Sequence, residues 1–165
     1  MIDKILKHLQ AEFGVQSVAL LEGTKQDTVV VPKEHLVDVC KLLRDHKEFY
    51  FDFLANITAV DYYPENRFAL VYNLASLPYQ TQLTIRVELP MENRDEDNLP
   101  EVPSVCSIWR TADWHEREAF DLMGIYFTGH PDLRRILLPD DWAGFPLRKD
   151  YEDAESYHGI MIKGE

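Results

Sequence analysis

Ile2, Ile5, Leu6, Leu9 and Phe13 recur at helical spacing and Gly14 stops the run, which predicts an amphipathic helix over residues 2–13. VQSVALLE (15–22) has strand character, Gly23 to Asp27 turns the chain, and TVVV (28–31) completes a hairpin. Pro32 opens a second helix, with Leu36, Val39, Cys40, Leu42 and Leu43 on one face and Lys33, Asp38, Lys41, Arg44 and Asp45 mostly opposite. FYFDFLANITAVDYY (49–63) is dense in aromatic and β-branched residues and predicts a strand or a bent pair. Pro64-Glu65-Asn66 is turn chemistry. RFALVYNLAS (67–76) and TQLTIRVEL (81–89) then alternate around Leu77-Pro78-Tyr79-Gln80, a second antiparallel hairpin.

The expected class is α+β: two N-terminal helices on a mostly antiparallel sheet, then a charged helix and an extended irregular C-terminal tail. Residues 1–103 read as an α+β domain ending in an acidic loop. Residues 104–138 read as a helix and turn of the same domain, and 139–165 as the tail. No internal repeat is visible.

Residues 90–103 (PMENRDEDNLPEVP) place Glu92, Asp95, Glu96, Asp97 and Glu101 around a lone Arg94 among three prolines. This predicts a solvated loop. The alternatives are a docking loop for a basic partner or a calcium site, but the acids lack EF-hand spacing and its glycine. From Ser104 the pattern turns helical. Taken as helix over 108–123, Ile108, Ala112, His115, Ala119 and Leu122 form one face, and Asp113, Arg117 and Asp121 fall at i, i+4, i+8 on another. Gly124 is placed to end the helix in the left-handed conformation, and IYF (125–127) reads as a short strand. The tail has little periodicity yet keeps Trp142, Phe145, Tyr151 and Tyr157, which need a surface on this chain or another.

A length of 165 residues fits one domain. The net charge of −12 is uneven: residues 1–85 carry 8 basic and 11 acidic side chains, residues 86–165 carry 9 and 18. Such a surface repels phosphate backbones and anionic lipids, and favours a partner with basic patches. Cys40 and Cys106 stand alone in apolar contexts, so no four-thiolate cluster is built from this chain and both are expected as reduced thiols of a cytosolic protein. The first residues lack a long apolar run and carry Asp3 and Glu12, so neither a secretory signal nor a transit peptide is expected. No run approaches the ~20 apolar residues that span a bilayer.

The charged stretch offers candidate chemistry. His115, Glu118 and Asp121 are ligand-type residues at helical spacing, but the HExxH zincin pattern fails at Ala119 and no facing carboxylates are evident for a di-iron site. His130 before Pro131, with Glu116 and Glu118, could perform acid–base work if buried. No nucleophile motif, Walker loop or dinucleotide fingerprint accompanies them. Buried ion pairs that fix geometry fit the stretch better.

Glu116-Arg117-Glu118, Asp121, His130, Arg134 and Ile136-Leu137 occur at the spacing of the signature of the 30-kDa subunit family of respiratory complex I, which the chain resembles. The likeness extends through VPSV (102–105), ADW (112–114) and LLPDDWAGFPLRKDY (137–151), and more loosely through ITAVDYY (57–63) and RFALVYNL (67–74). It implies a structural subunit of the peripheral arm, with no catalytic, metal or cofactor site of its own. NADH, FMN, iron–sulfur clusters and quinone would be held by the assembly, which oxidises NADH, reduces quinone and translocates protons at the cytoplasmic face of the bacterial inner membrane. The implied partners are the large 49-kDa-type subunit that shapes the quinone cavity and other peripheral-arm subunits, with neither nucleic acid nor direct membrane insertion. Within that reading Arg134, Arg135, Arg148 and Lys149, the basic clusters of an acidic half, and Trp142, Phe145 and Tyr151, its aromatics, are the expected docking residues. The alternatives are the equivalent subunit of a membrane-bound hydrogenase or of a ferredoxin- or deazaflavin-dependent oxidoreductase. From other classes come a free-standing enzyme using His115, Glu118 and His130, and a regulatory binding module.

Overall fold

The computed structural model describes residues 1–91, 94 and 96–162. Glu92 and Asp95 of the acidic loop lie outside them. Helix α1 spans Ile2–Phe13 and buries Ile5 and Leu9. Strands β1 (Ala19–Leu21) and β2 (Thr28–Val30) form the first hairpin, and a 3₁₀ turn, Lys33–His35, leads into α2 (Leu36–Asp45). The predicted α2 face is buried at Leu36, Val39, Cys40 and Leu43.

Three ten-residue strands make the body of the sheet: β3 (Phe53–Tyr62), β4 (Arg67–Ser76) and β5 (Thr81–Pro90). The strand order is β1-β2-β5-β4-β3, antiparallel throughout except where β2 runs parallel to β5. Register explains the alternation in sequence. Phe68 faces Leu89, Leu70 faces Val87, Tyr72 faces Ile85 and Leu74 faces Leu83, so four apolar pairs stack on one face of the central hairpin. The intervening positions carry a polar network: Arg67 and Arg86 share Glu88, and Asn73 links Asn56 to Thr84. The stretch 49–63 resolves as one strand with a bulge between Leu54 and Asn56, preceded by a turn.

Beyond β5, the short strand β6 (Glu101–Pro103) pairs in parallel with β7 (Tyr126–Thr128), and α3 (Ala112–Met123) connects them. Two features of this region differ from expectation. Residues 104–111 are turns, because Trp109 Nε1 donates to the Phe51 carbonyl and Thr111 Oγ1 to the Leu54 carbonyl, pinning the segment to the start of β3. The buried α3 face is Ala112, Glu116, Ala119 and Met123, not the one through His115 and Leu122. A glutamate in the core-facing row hides the helical phase from any hydrophobicity count. Gly124 caps α3 in the left-handed conformation, at φ 66° and ψ 48°. Residues from 129 on are irregular up to a small hairpin, β8 (Ser156–Tyr157) and β9 (Ile160–Met161).

Helices, sheet and loops share one core, running from Ile5 and Leu9 through the β4–β5 pairs to Val105, Trp109 and Phe127. α3 lies along β3, the open edge of the sheet.

Candidate functional site

Three arginines fasten the tail to this framework. Arg135 donates from Nη1 to Asp121 Oδ1 at 2.9 Å and to the Asp121 carbonyl at 3.0 Å, and from Nη2 to the Gly144 carbonyl at 3.0 Å. Arg148, buried, donates from Nε to the Met123 carbonyl at 2.9 Å and from Nη2 to the Gly124 carbonyl at 3.3 Å. It thereby satisfies carbonyls that α3 leaves without partners at its C-terminal end. Phe145 is buried against both guanidiniums, 5.3 Å from Arg135 and 4.5 Å from Arg148. Arg94, the lone base of the acidic loop, pairs with buried Asp61 at the end of β3 and with Asp150 of the tail. Asp61 Oδ2 also accepts the Lys149 amide at 2.8 Å. The loop expected to be solvated is in this respect a clamp.

Glycine permits the fit. A Cβ on residue 124 would lie 2.5 Å from Arg148 Nη2 and 2.6 Å from the Phe145 ring, and one on residue 144 would lie 2.9 Å from the Tyr151 ring.

Of the signature residues, Asp121 supports this geometry directly. Asp121 is fully buried and accepts three successive amides on Oδ2, from Ile136 at 3.0 Å, Leu137 at 2.7 Å and Leu138 at 3.0 Å. Burial pushes its pKa up, but the amides and Arg135 outweigh that and hold the carboxyl below the usual range. Glu116 has no such cation. Its Oε1 accepts the Val105 amide at 2.7 Å, and its Oε2 accepts Ser104 Oγ at 2.6 Å and Cys106 Sγ at 3.3 Å. Burial dominates there and raises its pKa. Arg117 reaches the Arg134 carbonyl and lies over the Trp114 ring at 5.0 Å. The i, i+4 pairs expected among Asp113, Arg117 and Asp121 are not among the described ion pairs.

Cys106, Glu116 and His130 place ligand-type atoms within 4.8 Å of one another. Their hydrogen bonds do not suit a metal. His130 Nδ1 accepts the Asp132 amide at 3.0 Å, so Nε2 carries the proton, and it sits 3.2 Å from the Asp113 carbonyl oxygen. The ring's one lone pair, on Nδ1, is already engaged by the Asp132 amide rather than turned to the thiol and carboxylate. Burial pushes the Cys106 thiol up to about 12, and its sulfur hydrogen-bonds Glu116 Oε2 at 3.3 Å. His115 and Glu118 do not belong to this group: Glu118 points outward, lining a slot of about 120 Å³ with Ile57, Ala59, Ala119, Leu122 and Leu147.

The expected docking residues divide accordingly. Phe145 and Arg148, and in part Arg135, are engaged within the chain, on Asp121 and the end of α3 rather than on Glu116 or Glu118. Trp142 and Tyr151 are half-buried and joined through Trp142 Nε1 to Tyr151 Oη at 3.2 Å. Arg134 and Lys149 remain exposed, Arg134 paired with exposed Asp132, and Leu137 is exposed as well. Sequence reasoning missed Asp61, Arg94 and Gly144. The available signal for Asp61 was its place in alternation with Ile57 and Ala59, a carboxylate on a strand's inward face.

Residues 29–157 match the model of the family described as respiratory-chain NADH dehydrogenase, 30 Kd subunit. The chain is 43% identical over 136 residues to an NADH-quinone oxidoreductase subunit of Chlorobium phaeobacteroides, covering 81% of this chain and 77% of that one. It is 42% identical over 158 residues to the counterpart NADH-quinone oxidoreductase subunit of Geotalea uraniireducens, covering 93% and 92%. Some relatives are longer, and the chain spans 48% of the one from Chloroherpeton thalassium. A chain in the structure of an archaeal membrane-bound sulfane sulfur reductase shares the fold, with a TM-score of 0.73 at 24% identity over 91% of this chain and 85% of that one. With a family model matched over most of its length and relatives above 40% identity, the chain belongs to the 30-kDa subunit family of the respiratory-chain NADH dehydrogenase.

Proposed function

We propose that the chain is a structural subunit of the peripheral arm of a proton-translocating NADH-quinone oxidoreductase. In that assembly it supports the quinone-reducing module and holds no redox centre itself. NADH, FMN, iron–sulfur clusters and quinone belong to other subunits, and the complex places this chain at the cytoplasmic face of the inner membrane. No helix among the described residues is long and apolar enough to cross a bilayer.

The observation that carries the proposal is an outward stripe on α3. Trp114, Glu118 and Leu122 stand at i, i+4, i+8, and Leu147 continues the row, its amide donating to the Leu122 carbonyl at 3.0 Å. Trp114 is 62% exposed at the start of the row, and Leu147, 58% exposed, lines the slot along β3 with Glu118 and Leu122. A large tryptophan and a leucine left in water beside a concave apolar slot fit a subunit interface, here with the 49-kDa-type large subunit. Affinity purification of the tagged chain from native membranes should recover the large subunit. Trp114→Ala with Leu147→Asp should lose it while the isolated chain keeps its melting temperature. Recovery of hydrogenase subunits instead of NADH-dehydrogenase subunits would overturn the assignment of the complex, and undiminished recovery by the double variant would overturn the interface.

A further inference from the structure

The end of the tail forms a second feature, separate from the α3 stripe. A cavity of about 260 Å³ opens among Asp141, Trp142, Tyr151, Tyr157, His158 and Ile162. Its walls are held in place from several sides. Trp142 and Tyr157 pack with ring centroids 5.1 Å apart, and Trp142 Nε1 donates to Tyr151 Oη. Tyr157 Oη donates to Asp141 Oδ1 at 2.7 Å, and His158 Nε2 lies 2.8 Å from Asp141 Oδ2. His158 and Gly159, at φ 48° and 79°, make the tight two-residue turn that returns β9 along β8.

We propose that this cavity is a receptor for one arginine or lysine side chain of a neighbouring protein in the complex, taken between the aromatic rings with its charge against Asp141. Three chemical features support that occupant. Three aromatic rings line the cavity, and their negative faces attract a cation. Asp141 is held ionised: its hydrogen bond from Tyr157 pulls its pKa below the ordinary value, with His158 adding to the effect. With Tyr157, His158 and its own amide as donors, the exposed carboxylate still has acceptor capacity for one incoming N–H. The sequence of the tail also carries Asp140, Glu152, Asp153 and Glu155 near this cavity in the chain, against Lys149 and Lys163, while Asp150 and Arg148 are engaged elsewhere. That field attracts a basic segment and opposes a second copy of this acidic chain. The hairpin also leaves Ile160 71% exposed. A two-stranded hairpin is marginal in water, so a covering partner would stabilise it.

The inference rests on the docking reading, but its test is independent of co-purification. Blocked Gly-Arg-Gly peptide, and its neutral isostere with citrulline in place of arginine, are titrated into the full chain while the Trp142 indole resonance is followed by NMR. The arginine peptide should shift that resonance at millimolar concentration and citrulline should not. Asp141→Asn should weaken the arginine peptide by about tenfold, the order expected when a cation loses its carboxylate partner in a partly desolvated site. In the assembled complex, a photo-crosslinker at position 157 should capture a peptide containing arginine or lysine. Equal binding of both peptides, no binding of either, or crosslinks confined to peptides without a basic residue would overturn the proposal. Recovery of the large partner together with the chain in those same preparations would leave the docking reading intact.

Discussion

The Arg148 guanidinium occupies the space that any side chain on residue 124 would need. Nη2 lies 2.5 Å from the position of a Cβ there and 3.3 Å from the Gly124 carbonyl oxygen it serves. Helix ending and tail docking thus depend on one missing methyl group. Gly124→Ala combines a left-handed backbone with a clash against two buried side chains. It should cost about 2–4 kcal/mol in urea unfolding and expose the segment after residue 139 to limited proteolysis. Gly129, equally left-handed but with open space around it, is the control: Gly129→Ala should cost clearly less. Equal losses at the two sites would show that the close approach is unimportant.

Asp121 collects four donors on a fully buried carboxylate, so Asp121→Asn should destabilise the chain by about 2–4 kcal/mol, as expected when a buried charged acceptor is replaced and Arg135 is left without its anion. Its folded pKa lies below the ordinary aspartate value. Its contribution is therefore fully present above about pH 4 and disappears as pH falls through the depressed folded value. The acid limb of a stability–pH curve should be shallower in the variant. Superimposable acid limbs would mean that the three amides do not favour the charged form.

Glu116 predicts the opposite slope. Its folded pKa is raised, so the native state keeps a proton that the unfolded chain has released, and stability falls as pH rises from about 4.3 toward the folded value. Glu116→Gln preserves an acceptor for the Val105 amide and removes the titration. Its stability relative to the parent should rise across that interval and then level off, as read from urea midpoints at successive pH values. A constant difference between the two proteins would refute the buried-acid account.

The elements most legible from sequence are those whose side chains alternate without interruption. β4 and β5 fall almost where the RFALVYNLAS and TQLTIRVEL patterns place them, because register and burial both follow a period of two. α3 was legible as a helix but not in phase, since Glu116 takes a core position and is satisfied there by Ser104, Val105 and Cys106. The tail's anchoring was not legible for a different reason. Asp61 with Lys149, and Arg94 with Asp150, are contacts between residues far apart in sequence, and a local pattern of charges does not reveal which loop closes on which strand. Asp121 stands in the family signature, whereas Arg148 is expected from sequence only among the docking groups of an acidic half. Its burial follows from the carbonyls at the end of α3.

Leu147 joins the outward row on α3 only because the chain has first folded back past Gly144 and seated its amide on Leu122. The platform offered to a neighbour is thus a late product of this polypeptide's own maturation. A chain truncated before Gly144 would keep Trp114, Glu118 and Leu122 on α3 but lack the last member of the row. The exposed row and the buried arginine anchors are in this way two sides of one folding-back of the tail.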